Sequence, residues 1–153
     1  MPIEAHLIAS LKAAGDAMRG ARDPWWVLTG GAVALHGADP GHVADIDVLL
    51  STQDAARILP AVGVLVQPGP SHQNFRSDIL GIWNGAPLPI EFMAGFYHRC
   101  GTDWFRVEPT TRQPVEVDGT IVFVPDRAEL ERLLCDFGRP KDIERARRLA
   151  ALA

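Results

Sequence analysis

The chain has 153 residues, 47% of them hydrophobic and 22% charged, with a formal net charge of −4. That length suits one domain burying roughly two thirds of its unfolded surface, and the composition excludes a disordered or low-complexity chain. The negative charge removes whole-molecule attraction to nucleic acid or an anionic membrane, and two cysteines, Cys100 and Cys135, are too few for a disulfide framework or a zinc site.

Glu4, His6, Lys12 and Asp16 interrupt the N-terminal apolar positions, and no later run reaches membrane-spanning length, so a soluble, cytoplasmic protein is expected. Ile3, Leu7, Leu11, Ala14 and Met18 recur at helical spacing before Gly20, which predicts an amphipathic helix over residues 3–19. Residues 25–28 read as a short strand, followed by Thr29, the pair Gly30-Gly31, and a short helix "AVALHG" closed by Gly37. After the loop "ADPGH" a second strand covers 46–50, and Ser51 or Thr52 caps a helix over 53–59. A third strand is expected at 62–66.

Residues 75–83 and 88–93, separated by "NGAP", read as antiparallel strands, and 115–117 with 121–124 form a hairpin around Asp118-Gly119. Residues 94–113 are ambiguous. The tail carries two helical patterns, 127–137 and 140–152, with Gly138 stopping the first and Pro140 opening the second. Without repeats or a linker, residues 1–153 are expected to form a single domain of α/β or α+β class: a mixed β-sheet flanked by helices, with short C-terminal helices.

Two features inside this frame carry chemistry. Asp45 and Asp47 stand one residue apart at an apolar strand, so they project from one face with Cα atoms roughly 6–7 Å apart. Glu91 sits likewise within "LPIEFM". Ionised carboxylates in apolar runs are costly unless compensated. A hard cation held among the three would compensate them, and magnesium is the natural candidate. The alternatives are that Asp45 and Asp47 cap a loop or pair with arginine, and that Glu91 pairs with Arg76 or Arg99.

Gly30 and Gly31 precede a helix, where close backbone approach and free N–H groups favour phosphate, although a plain tight turn needs the same residues. Arg139, Lys141 and Asp142 form a helix start in which Lys141 is a candidate phosphate contact. Arg145, Arg147 and Arg148 read as a solvated face or a local basic patch for RNA.

The stretch "LTGGAVALHG…ADIDVLL" with "PIEFM" resembles the nucleotidyltransferase (DNA polymerase beta-like) superfamily pattern, and "GRPKDIERARRL" resembles the closing helix of small bacterial members, including AbiEii-type relatives. The resemblance implies a nucleotidyltransferase-like fold and a nucleoside triphosphate as substrate. It further implies catalytic and metal-binding roles for Asp45, Asp47 and Glu91 with Mg2+ (or Mn2+), and substrate-binding roles for Gly30, Gly31 and Lys141. The implied reaction is transfer of a nucleoside monophosphate to an acceptor hydroxyl of RNA, protein or a small molecule.

Glycine at residue 31 replaces the serine many members use, and glutamate at 91 replaces the commoner aspartate. Larger members add a domain that selects the acceptor, and here that task is expected of a homodimer or a partner protein. The rival expectation is a catalytically inactive regulatory or toxin-antitoxin-type protein on the same fold.

Overall fold

The computed structural model describes residues 2–153. Helix α1 (Ala5–Ala17), extended by a 3-10 turn at Met18–Gly20, buries Leu7, Leu11, Ala14 and Met18. Strand β1 (Trp26–Leu28) leads into α2 (Thr29–Leu35), then β2 (Ile46–Leu49) and α3 (Thr52–Ala61). Strands β3 (Phe75–Trp83), β4 (Ile90–Cys100) and β5 (Asp103–Arg106) follow, then the pair β6 (Gln113–Val117) and β7 (Thr120–Val124). Helices α4 (Arg127–Phe137) and α5 (Pro140–Ala150) complete the order.

The main sheet runs β1-β2-β4-β3, with β5 pairing the far end of β4. Only β2 and β4 are parallel; β1 with β2, β3 with β4 and β4 with β5 are antiparallel. The sheet is therefore mixed, as expected, and helices flank it. The β6–β7 hairpin is a separate two-stranded ribbon turned by Asp118 and Gly119, both at positive φ (48° and 82°), which suits a two-residue turn. It packs so closely on α1 that a Cβ at Gly15 would fall 2.5 Å from Thr120 Cγ2.

Three local expectations need correcting. Residues 62–66 form no strand: Val62 closes α3, Gly63 turns at φ 78°, and Gln67 touches Leu80 only through an isolated bridge. Pro68 and Pro70 lack the N–H a continued ladder needs. The glycine pair does not precede α2 but lies inside its first turn, since the helix begins at Thr29. Strand β4 runs on to Cys100, and β5 arises within the ambiguous stretch.

Side-chain caps fix the starts of α3 and α4. The Asp54 N–H donates to Ser51 Oγ at 3.0 Å, which selects Ser51 as the α3 cap, and the Glu129 N–H donates to Asp126 Oδ1 at 2.8 Å for α4. Each such cap contributes about 1 kcal/mol. Between α4 and α5 Gly138 takes φ 73°, which ends α4 and starts α5 two residues later, with α5 side chains facing Asp45, Asp47 and Glu91 across a cleft.

Candidate active site

The site is built where β1 hands over to α2, beside the β2–β4 pair. Asp47 and Glu91 are Cα partners in that parallel ladder, and Asp45 is the residue immediately before Ile46 opens β2. Carboxylate oxygens of Asp45, Asp47 and Glu91 all lie within 4.8 Å of one another. None of the three makes an ion pair among the described residues. Arg76 instead stacks over Tyr97 (4.3 Å) and the Arg99 Nε donates to the Gly101 carbonyl, so neither arginine is spent on Glu91.

This crowding has an electrostatic signature. Burial and the Asp45 and Glu91 charges push the Asp47 carboxyl up to about 7, against the Thr29 hydrogen bond and Arg139, which favour its ionised form. Burial and Asp45 likewise raise Glu91, opposed by its hydrogen bond with Asp47 and by Lys141. Three oxygen donors held together at such a cost match the donor set of a hard divalent cation.

Thr29, which the sequence alone does not single out, orients this cluster. Its Oγ1 donates to Asp47 Oδ2 at 2.5 Å, and its backbone sits at φ 52°, a conformation that β-branched residues rarely adopt. A cleft of about 370 Å³ opens over the acids, bounded by Thr29 and Gly30, the 40–45 loop and the α5 side chains Arg139, Lys141 and Arg145. Gly30 thus lines the cleft. Gly31 lies deeper, where a Cβ would meet Val27 Cγ1 at 3.0 Å and Leu11 Cδ2 at 3.3 Å, so any larger residue would make these two core side chains give by a few tenths of an ångström.

Helix α5 divides its basic residues by role. Arg139 is bound twice by the fully buried Asp142, through Nε at 2.6 Å and Nη2 at 3.0 Å. Lys141 is exposed at the cleft mouth and makes no hydrogen bond or ion pair among the described residues.

Arg145 is not on a solvated face: it is 6% exposed, and its Nε and Nη2 donate to the Pro40 and His42 carbonyls, both at 2.9 Å. It thereby pins the loop that delivers Asp45. The stripe Asp142, Arg145, Ala146 and Leu149 has core-facing helical spacing, a signal present in the sequence. Arg147 and Arg148 pair with Glu144, and Arg148 also reaches Asp39.

No family model and no curated protein matches the chain. Solved structures do. A candidate nucleotidyltransferase, TM1012 of Thermotoga maritima, superposes with a TM-score of 0.73 over 97% of this chain and 95% of that one, at 20% identity. The lincosamide antibiotic adenylyltransferase LnuA, in its lincomycin-bound crystal structure, gives a TM-score of 0.60 over 99% and 98% of the two chains, at 10% identity. The solution structure of the antibiotic-resistance factor ANT(2'')-Ia gives 0.56 over 94% and 80%, at 17% identity. The likeness does not bear on the AbiEii-type subgroup. With 97% or more of the chain matched by the first two, and a mixed sheet carrying three acids beside a glycine-containing helix start, the chain has the fold of the nucleotidyltransferases.

Proposed function

We propose that the protein is a divalent-cation-dependent nucleotidyltransferase that moves a nucleoside monophosphate from a nucleoside triphosphate to an acceptor hydroxyl. The observation that carries it is the convergence of the Asp45, Asp47 and Glu91 carboxylates within 4.8 Å, beside the free N–H groups of the first turn of α2. Asp45, Asp47 and Glu91 would hold Mg2+ or Mn2+, which when bound supplies charge neutralisation on the reacting phosphate and the leaving group.

The chain's own residues then have separable tasks. The Thr29–Gly31 amides and the Lys141 ammonium bind the phosphates, and Arg145 holds the 40–45 loop so that Asp45 stays in place. Thr29 keeps the Asp47 carboxylate turned toward its neighbours. Glu91 takes the proton as the acceptor O–H bond breaks. The acceptor oxygen then bonds to the α-phosphorus, whose bond to the bridging oxygen breaks, and pyrophosphate leaves with that electron pair. Positioning and electrostatics carry the rate.

Calorimetric titration of each nucleoside triphosphate with magnesium into wild type and Asp45→Asn tests this. Binding heat in the wild type that collapses in Asp45→Asn supports it; no heat in the wild type at millimolar nucleotide overturns it.

A further inference from the structure

The acids have a second neighbourhood that phosphate binding does not use. On the β3 and α4 side of Asp47 and Glu91 lies a lobe of about 150 Å³ lined by Leu28, Phe75, Met93, Phe96 and Phe137. It meets the phosphate-side cleft at Thr29, Asp47, Glu91 and Arg139, which border both. The rings are ordered against one another: Phe75 stacks on Phe96 at 5.7 Å, and Phe137 stands edge-on to Phe75 at 5.3 Å.

The backbone builds this lobe. On strict alternation Phe96 would face away from Glu91 and Met93. Gly95 breaks the alternation: it sits at φ 59°, and the Asp78–Gly95 pair is missing from an otherwise continuous β3–β4 register. A Cβ at Gly95 would fall 2.3 Å from Asp78 Oδ2, so any side chain there would have to displace Asp78 as well as bear the positive φ.

The polar inventory limits what fits. Thr29 is committed to Asp47 and Arg139 to Asp142, while the five apolar side chains offer no hydrogen bond. A nucleobase there would bury its polar edge unpaired. A cationic group would compete with the divalent cation for Asp47 and Glu91, and an anionic one would meet only Arg139, whose charge Asp142 already neutralises. What remains is a neutral apolar body, and an apolar cavity of roughly 150 Å³ accommodates one benzene ring.

We infer that this lobe is the acceptor subsite, and that the acceptor presents its hydroxyl on a neutral, ring-sized apolar body such as a phenol. This rests on the transferase proposal above and names its substrate class. The hydroxyl lies at the rim beside Glu91, on the side of the acids away from Lys141, as an in-line displacement requires.

Methyl-13C-methionine NMR on the full chain tests it, with Met93 assigned through Met93→Leu. With nucleoside triphosphate analogue and magnesium present, p-cresol is expected to shift the Met93 methyl saturably at millimolar concentration and leave Met18 unmoved. Benzylammonium of the same size is expected to move neither methyl, and adenosine not to displace p-cresol. A blocked Ala-Tyr-Ala peptide that reproduces the shift points to a protein tyrosine as acceptor; its silence beside a p-cresol response points to a small phenol.

No Met93 response to p-cresol, an equal response to benzylammonium, or displacement by adenosine overturns the inference while leaving nucleotide-binding heat intact. A p-cresol response without any nucleotide heat removes the transferase and, with it, the assignment of the ring to an acceptor.

Discussion

Asp47 and Glu91 face each other across the parallel β2–β4 ladder, with Asp45 adding a third charge from the residue just before β2. The native protein keeps a proton on Asp47 up to about pH 7, whereas the unfolded chain releases it near its ordinary 3.8. Between those values the native state binds more protons, so this contribution to stability is full below pH 3.8 and is lost as pH rises through 7. Asp47→Asn is expected to be more stable than wild type at pH 8, by on the order of 4 kcal/mol, and equal to it at pH 4. Carboxylates such as Asp54 and Glu129, held low by hydrogen bonds, act in the opposite sense but cancel in the difference. Urea unfolding from pH 4 to 9 measures it, and added magnesium is expected to stabilise the wild type more than the variant.

Thr29 combines a strained backbone with a useful hydroxyl, and two substitutions separate them. Thr29→Ala keeps the φ of 52° and loses the hydrogen bond to Asp47, so it is expected to cost about 1 kcal/mol and to raise the Asp47 titration above wild type. Thr29→Gly loses the same bond but relieves the left-handed strain, roughly 1 kcal/mol, and is expected to be near neutral in stability. Carboxyl-carbon NMR titration of Asp47 should show the same upward shift in both variants.

The positions of the acids were open to inference because an ionisable residue in an apolar strand demands compensation, and period-2 alternation then gives its face. The turn at Asp118-Gly119 and the stop at Gly138 were open for a similar local reason: their backbone angles favour glycine. Thr29 and Gly95 were closed to it. A left-handed threonine contradicts its own propensity, and a glycine within a strand gives no sign that it reverses which face the following residues occupy. At Arg145 the charge points to solvent, whereas its helical phase with Ala146 and Leu149 points to the core, and the phase prevails.

Arg145 tests whether the Asp45 loop needs its clamp. Arg145→Met keeps the packed stem but leaves the Pro40 and His42 carbonyls without their donor, at an expected cost of about 2 kcal/mol. Because Asp45 follows on the same loop, the magnesium-induced rise in melting temperature is expected to shrink more than in Arg147→Met, whose guanidinium is exposed. Gly30→Ala is expected to act in the same direction, since its Cβ would sit 2.9 Å from Arg145 Nη2, the atom that donates to the His42 carbonyl.

The two cations at the start of α5 are expected to fail in opposite ways. Arg139→Met strips the fully buried Asp142 of its bidentate partner and is expected to destabilise the fold by roughly 3 kcal/mol. Lys141→Met removes an exposed side chain without a partner, so stability should stay within about 0.5 kcal/mol of wild type. Its charge faces the cleft and lowers Glu91, which makes it the free positive group nearest the acids on the proposed phosphate side. Calorimetric affinity for nucleoside triphosphate with magnesium is expected to fall about tenfold, roughly 1.4 kcal/mol, in Lys141→Met. Unchanged affinity in that variant would assign the phosphates to the α2 amides alone and reduce Lys141 to a solvated residue at the helix start.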